Sequence, residues 1–225
     1  MSARPAPQSS AALALFDLDG TLTWRDTLGP FLAGYGLRHP TRVLRLWRLA
    51  PALIGYVLSP DRGRLKSNVI RALMGGDSRE SIDAWAECFT RSLAPQGKFR
   101  PAALATLDAH RAAGDHLVLL SASPDLYVPR IAHLLGFERT LCTELLWRRD
   151  RLDGGLKTAN RRGEEKLRCL DALRAEYPNS RIVAYGNSAS DLAHLRRADR
   201  ALLVNGSAAA RRRAAEAGIG TADWT

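Results

Sequence analysis

The residues best suited to do chemistry begin with two aspartates in the segment Asp17-Leu18-Asp19-Gly20-Thr21, directly after an apolar run. Four more polar residues occur far along the chain: Ser121, Lys166, Asn187 and Asp191. Carboxylate and amide oxygens are the ligands that Mg²⁺ prefers, and an ammonium group and a hydroxyl suit a phosphate dianion. Brought together, these six side chains would bind a divalent cation beside a phosphate group.

Most of these residues follow a short apolar run with the pattern of a buried parallel strand. Four such runs are Ala11–Phe16, Leu117–Leu120, Ile182–Tyr185 and Ala201–Val204. Helical patterns alternate with them at Pro101–Ala113, Leu126–Leu135, Glu164–Glu176 and Asp191–Arg197. The alternation predicts an α/β fold, a Rossmann-like doubly wound parallel sheet with right-handed crossovers. Ligands of such sheets bind beyond the carboxyl ends of the strands, so the polar residues there are expected to meet.

A long insertion is predicted between the first strand and the helix at Pro101. About 70 residues are too many for an ordinary crossover, and they have a helical pattern throughout. We therefore expect residues 24–95 to form a helical cap, residues 13–23 and 96–225 to form the core, and residues 1–12 to be a disordered tail. A further segment, Glu144–Thr158, contains Asp153-Gly154-Gly155 between alternating stretches, which predicts a hairpin.

Composition indicates an ordinary globular protein of 225 residues, 46% of them hydrophobic. Its three cysteines form no CxxC pair, which favours free thiols in a reducing compartment. No signal-peptide pattern and no apolar run of about 18 residues occurs, so a cytoplasmic location is expected. Thirty-three basic and 23 acidic residues give a net charge of +10. With 7% aromatic residues and no reader motif, a nucleic-acid partner is not expected.

The positive charge is concentrated between Arg38 and Lys66, where seven Lys or Arg residues accompany one acid, Asp61. Four of them recur at helical spacing and predict one basic stripe: Arg38, Arg42, Arg45 and Arg48. An apolar stretch, Leu49–Leu58, follows. Two interpretations stay open: a solvated helix face, or peripheral contact with an anionic membrane, which would place the protein at the inner membrane surface.

Four ordered segments resemble the motifs of haloacid dehalogenase superfamily phosphatases: FDLDGTL, LLSASP, Lys166 and YGNSASD. A cap between the first two motifs is similar to that of the phosphoserine phosphatase-like branch, subfamily IB. The resemblance implies a Mg²⁺-dependent phosphatase that forms an aspartyl phosphate and hydrolyses a phosphomonoester.

The same resemblance implies a role for each matched residue. Asp17 would be the nucleophile and Asp19 the general acid and then base, while Ser121 and Lys166 would bind phosphate. Asp17, the Asp19 carbonyl and Asn187 would hold the metal. Asp191 would orient a metal-bound water or Lys166. Simpler interpretations stay open for individual residues, since Ser121 and Asp191 also suit helix N-caps and Lys166 suits a solvated helix face.

Two positions depart from the family pattern and bear on the substrate. Asn187 stands where most relatives carry aspartate, which predicts weaker metal binding. Asp26 stands where phosphoserine phosphatases use a glutamate to hold the substrate amino group. Together with the basic segment, this is similar to phosphatidylglycerophosphatase-like members and favours a lipid-linked or amphipathic substrate. Phosphoserine or another small metabolite, and a non-catalytic phosphate- or lipid-binding module, are the alternatives.

Overall fold

The fold is built on a six-stranded sheet whose neighbouring strands are all parallel, in the order β3-β2-β1-β6-β7-β8. The structure is a computed structural model, and it describes residues 11–49, 55–57 and 60–225. The strands of this sheet are β1 Leu13–Phe16, β2 His116–Pro124, β3 Arg139–Thr143, β6 Ile182–Gly186, β7 Arg200–Val204 and β8 Gly220–Ala222. A separate antiparallel hairpin consists of β4 Leu145–Arg148 and β5 Arg151–Leu156.

Helices cover both faces of the sheet, which confirms the α/β doubly wound class. They are α1 Leu28–Arg38, α2 Pro40–Val43, α3 Arg62–Met74, α4 Arg79–Leu93, α5 Pro101–Ala112, α6 Val128–Leu134, α7 Glu164–Glu176, α8 Leu192–Arg197 and α9 Ala208–Glu216, with a 3₁₀ helix at Leu44–Leu49. Side chains alternate along β1, so Ala14 and Phe16 belong to one core and Leu13 and Leu15 to the other. The first core includes α1, α3, α4 and α6; the second includes α7, α8 and α9.

The central position of β1 sets the geometry of the site. Phe16 pairs with Leu119 of β2 on one side and with Tyr185 of β6 on the other. The residues that follow these three strands therefore emerge at one edge of the sheet. The apolar runs predicted from the sequence correspond to β1, β2, β6 and β7, and the predicted hairpin is β4–β5.

The segment between β1 and α5 contains α1 to α4, as the helical pattern indicated. The division into core and cap at residues 24–95 stays a prediction. Of the predicted tail, residues 1–10 lie outside the described residues, and so do residues 50–54 and 58 of the apolar stretch. None of the helices in the described residues is both long and apolar enough to cross a membrane.

The expectation of one basic stripe is wrong, because the helix is interrupted at His39. Proline at position 40 lacks an amide hydrogen and disfavours helical backbone before it, so α1 ends at Arg38 and α2 begins afresh. The arginines consequently point to different partners. Arg38 lies over the Trp85 ring, 4.2 Å from its centroid, and Arg42 forms an ion pair with Asp77.

Two strands were not predicted from the sequence. β3 has only two fully buried residues at its carboxyl end, and β8 is three residues long at the sheet edge, so neither forms an apolar run. The hairpin turn is formed by Arg149 and Asp150, both with positive φ, and not by the predicted glycines. Those glycines lie within β5, where a Cβ at Gly154 would lie 2.8 Å from the backbone of Arg71 in α3.

Candidate active site

Asp17 is the first residue after β1, and the loop that follows it is built around a glycine. The Asp17 amide donates to the Tyr185 carbonyl at 3.0 Å, which continues the sheet pairing and fixes the position of this residue. Thr21 Oγ1 donates to Asp17 Oδ2 at 3.0 Å. Gly20 has a φ of +81°, and a Cβ there would lie 2.0 Å from Asn187 Nδ2. The loop therefore needs glycine both for its backbone and for its contact with Asn187.

Lys166 joins Asp17 to Asp191 in a buried ion-pair triad. Its Nζ donates to Asp17 Oδ1 at 2.6 Å and to Asp191 Oδ1 at 2.8 Å. Burial alone lowers the pKa of Lys166, but the two carboxylates outweigh it and raise that pKa above its usual value. Lys166 is therefore a fixed positive charge beside the proposed nucleophile, and the solvated-helix interpretation of this lysine is wrong.

The two carboxylates of the triad differ in their pKa shifts. Burial raises the pKa of Asp17 to about 6, and Lys166 offsets only part of that increase. Burial also acts to raise the pKa of Asp191, but Lys166 and hydrogen bonds from Ser188 outweigh it and hold the pKa well below its usual value. A buried carboxylate at Asp17 therefore gains from any further positive charge that binds beside it.

Asp19 lies in a different environment from Asp17, although the two are only two residues apart. Its Oδ1 accepts hydrogen bonds from the Thr27 amide and Thr27 Oγ1, both at 2.7 Å, and its Oδ2 accepts from Ser123 Oγ at 2.6 Å. Thr27 Oγ1 is in turn 2.9 Å from Tyr127 Oη. Burial raises the pKa of Asp19, and the bonds from Ser123 and Thr27 counteract this increase. This carboxyl is held by neutral donors, an environment that suits a residue exchanging a proton.

The residues after β6 form a compact turn. Asp191 Oδ2 accepts from the Ser188 amide at 2.9 Å and from Ser188 Oγ at 2.7 Å, so Asp191 belongs to a capping box and to the Lys166 triad at once. Asn187 places its side chain against Gly20 at the same edge. Both predicted residues are thus beside the β1 loop.

Ser121 is fully buried within β2, and its Oγ accepts the Ser123 amide at 3.1 Å. It belongs to the strand and is no helix N-cap. Ser123, two residues later, lines the cavity that contains Asp17, together with Ser188 and Ser190. Asp26 is exposed at the cavity mouth, where its Oδ1 accepts the Gly29 amide at 3.0 Å.

Sequence reasoning missed Thr27, Ser123, Tyr127 and Lys66. Ser123 lies within the LLSASP segment and could have been found as a second hydroxyl beside Ser121. Lys66 belongs to α3 and donates to the Ala122 carbonyl at 2.5 Å and to Asn160 Oδ1 at 2.7 Å. No local pattern marks a contact between residues so far apart in the chain.

The candidate site contains a cavity of about 560 Å³. Its lining includes Asp17, Asp19, Lys166, Asn187 and Asp191. In the described parts of the chain, no three His, Cys, Asp or Glu side chains form a metal-binding cluster. The predicted ligand set differs in kind: it consists of one carboxylate, one backbone carbonyl and one amide. These are hard oxygen donors, and the carboxylate among them, Asp17, is buried and has a raised pKa, so the set is compatible with Mg²⁺.

Comparison with known proteins agrees with this architecture. The family model of haloacid dehalogenase-like hydrolases matches residues 14–196. The chain is 38% identical over 190 residues to "Protein CicA" of Caulobacter vibrioides, covering 83% of each protein.

Among solved structures, a protein of unknown function from Bordetella pertussis Tohama I superposes with a TM-score of 0.79 at 22% identity, over 96% of this chain and 100% of that one. A phospho-aspartyl intermediate analogue of phosphoserine phosphatase superposes with a TM-score of 0.65 at 14% identity, over 96% and 94% of the two chains. These likenesses show a shared fold. On the family match and the identity to its relative, the chain belongs to the haloacid dehalogenase-like hydrolase family.

Proposed function

We propose that this protein is a Mg²⁺-dependent phosphatase that hydrolyses a phosphomonoester through an aspartyl phosphate on Asp17. The observation that carries the proposal is the contrast between the two neighbouring carboxyl groups. Asp17 is paired with Lys166, while Asp19 is held by Thr27 and Ser123. One group is therefore suited to attack phosphorus and the other to exchange a proton.

In the first step a carboxylate oxygen of Asp17 attacks phosphorus and the bond to the alcohol oxygen breaks. Asp19 donates its proton to that leaving oxygen. In the second step water attacks the aspartyl phosphate, Asp19 takes a proton from the water, and Asp17 is released with inorganic phosphate. Lys166 offsets part of the repulsion between the Asp17 carboxylate and the phosphate dianion throughout.

Mg²⁺ would be held by Asp17, the Asp19 backbone carbonyl and Asn187. When bound, it would supply additional positive charge to the phosphoryl oxygens. Ser121 and Lys166 are proposed to bind phosphate. Ser121 is fully buried in β2, and its Oγ already accepts the Ser123 amide. Asp191 is proposed to act by orienting Lys166, which the 2.8 Å hydrogen bond between them supports.

The test is hydrolysis of p-nitrophenyl phosphate with Mg²⁺ and with a chelator. We expect turnover that the chelator abolishes, and an Asp17→Asn variant whose rate falls by at least about a thousandfold. Asp108→Asn, an exposed aspartate on α5, is the matched control and should keep the wild-type rate. Undiminished turnover by the Asp17→Asn variant would contradict the mechanism. Phosphate binding by the wild type without any turnover would favour the non-catalytic module.

We further propose a lipid-linked or amphipathic substrate reached by peripheral contact with an anionic membrane. Four large apolar side chains are strongly exposed near the start of the insertion: Leu37 (84%), Leu44 (72%), Trp47 (74%) and Val57 (79%). Arginines, Arg38 and Arg45 among them, occur in the same segment. Apolar side chains flanked by arginines suit the interface of an anionic bilayer.

Sedimentation with vesicles tests this contact. We expect binding to phosphatidylglycerol vesicles, weaker binding to phosphatidylcholine vesicles, and loss of binding when Leu44 and Trp47 are replaced by serine. Leu134→Ser, an exposed leucine on α6, is the control. If the Leu44 and Trp47 variant bound vesicles as well as the Leu134→Ser variant does, the membrane contact would be contradicted. Rapid turnover of phosphoserine without vesicles would favour a small-metabolite substrate.

A further inference from the structure

The outer part of the catalytic cavity has an excess of positive charge that the proposed reaction does not use. Its lining includes Arg25, Arg62, Arg162 and Lys66, and the acid among them is Asp26. We propose that these cations form a second anion subsite, so that the substrate is a phosphomonoester whose alcohol carries another negatively charged group. This inference rests on the proposed phosphatase function and narrows its substrate class.

Three separate segments supply the arginines. Arg25 lies in the loop after β1, Arg62 begins α3, and Arg162 lies in the loop before α7. All three are exposed, and none of their guanidinium groups forms an ion pair or hydrogen bond within residues 11–49, 55–57 and 60–225. Elsewhere many arginines are paired, as Arg71 and Arg148 are with Asp153. Guanidinium groups left open at a cavity mouth are available to an anionic ligand, which they bind through paired hydrogen bonds.

Lys66 holds this mouth in place. Its two hydrogen bonds connect α3 to the carbonyl of Ala122 and to Asn160, and a third ammonium hydrogen is left for a ligand. A Cβ on Gly63 would lie 3.0 Å from Asn160 Cβ, so α3 lies against this loop at close range. Burial lowers the pKa of Lys66 to about 8, against the opposing effect of Asp19 and Asp26. Lys66 is therefore held in position before a ligand binds.

The inner and outer parts of the cavity differ in their balance of positive and negative charge. In the inner part, Lys166 is already paired with Asp17 and Asp191. In the outer part, four cations face Asp26 and, next to Lys66, Asp19, which leaves an excess of two positive charges. A neutral or zwitterionic alcohol would leave that excess uncompensated. A carboxylate or a phosphodiester on the alcohol would compensate part of it and would be attracted to the cavity.

A matched pair of substrates tests the inference. Glycerol 2-phosphate and 2-phosphoglycerate differ in that a carboxylate replaces one hydroxymethyl group. We expect kcat/KM to be about tenfold or more higher for 2-phosphoglycerate, from one charge-assisted contact. The preference should shrink as ionic strength rises. Glycerophosphoglycerol phosphate carries its second charge on a phosphodiester. Comparing its kcat/KM with that of 2-phosphoglycerate shows whether the subsite prefers a phosphodiester or a carboxylate.

Variants assign the preference to the subsite. Arg62→Gln and Arg162→Gln, combined, should reduce the ratio of the two kcat/KM values towards one, mainly through KM for the anionic substrate. Arg212→Gln, an exposed arginine on α9, should keep the wild-type ratio. Equal kcat/KM values for all three substrates in the wild type, or an unchanged ratio in the double variant, would overturn the inference.

Binding provides a readout that does not depend on turnover. Calorimetry on the Asp17→Asn variant should show tighter binding of 2-phosphoglycerate than of glycerol 2-phosphate, and the Arg62 and Arg162 replacements should remove the difference. Absence of turnover together with this binding preference would refute the phosphatase and support the subsite. Turnover without any binding preference would support the phosphatase and refute the subsite.

Discussion

At the scale of single residues, the hydroxyl of Ser123 helps to set the chemistry of Asp19. It donates to Asp19 Oδ2 at 2.6 Å and counteracts the rise of the Asp19 pKa on burial. Ser123→Ala should raise that pKa further, so Asp19, the proposed general acid, stays protonated to higher pH. We expect the alkaline limb of the kcat/KM profile to move up by about one pH unit. Ser92→Ala, on α4, is the control, and an unshifted limb in Ser123→Ala would refute the role.

Asn187 provides the second residue-scale prediction. It supplies an amide where a carboxylate would add one negative charge to the proposed metal site. Asn187→Asp should therefore reduce the Mg²⁺ concentration needed for half-maximal activity, by about tenfold. The measurement is a Mg²⁺ titration of p-nitrophenyl phosphate hydrolysis, with Asn68→Asp on α3 as control. An unchanged requirement would count against Asn187 as a ligand.

At the scale of elements, α8 contains a buried histidine whose protonation opposes folding. His194 Nδ1 has no hydrogen-bond partner, and burial, followed by the charge of Lys166, lowers the pKa of this histidine from 6.5 to about 3. The unfolded chain therefore takes up the proton first as pH falls. This contribution to stability is complete above pH 6.5 and is lost progressively between pH 6.5 and 3.

Replacing His194 by leucine should remove that dependence. The wild type should lose about 2 kcal/mol of unfolding free energy between pH 6.5 and pH 5 from this residue, and the variant should not. Urea unfolding at both pH values measures the difference. His133→Leu, an exposed histidine on α6, should retain the wild-type dependence. An equal loss in His194→Leu and wild type would contradict this assignment.

At the scale of the whole molecule, the Lys166 triad connects three parts of the fold: the end of β1, the start of α7 and the turn before α8. Lys166→Met would leave Asp17 and Asp191 buried together without their cation. We expect the variant to lose about 3–5 kcal/mol of unfolding free energy near pH 8. The loss should be smaller near pH 5.5, because protonation of one carboxyl removes the repulsion between them.

The double variant Asp17→Asn/Lys166→Met separates charge from packing. Neutralising Asp17 should recover part of the lost stability, and this non-additivity is measured by a double-mutant cycle in the presence of chelator. Additive effects, or a loss below about 1 kcal/mol for Lys166→Met, would mean that the triad contributes little to stability.

The sequence by itself determined the elements whose apolar pattern is strong and local. Helix α7 has the predicted bounds, and β1, β2, β6 and β7 correspond to the predicted runs, because buried parallel strands need continuous apolar residues. The aspartates after β1 and the asparagine after β6 could be placed at one edge for the same reason. Tertiary structure alone decided that Ser123, Thr27 and Tyr127 surround Asp19, and that Lys66 of α3 contacts the carboxyl-terminal part of β2 and the loop before α7. Those contacts join residues up to 104 positions apart, and no periodicity within one element encodes where another element will pack against it.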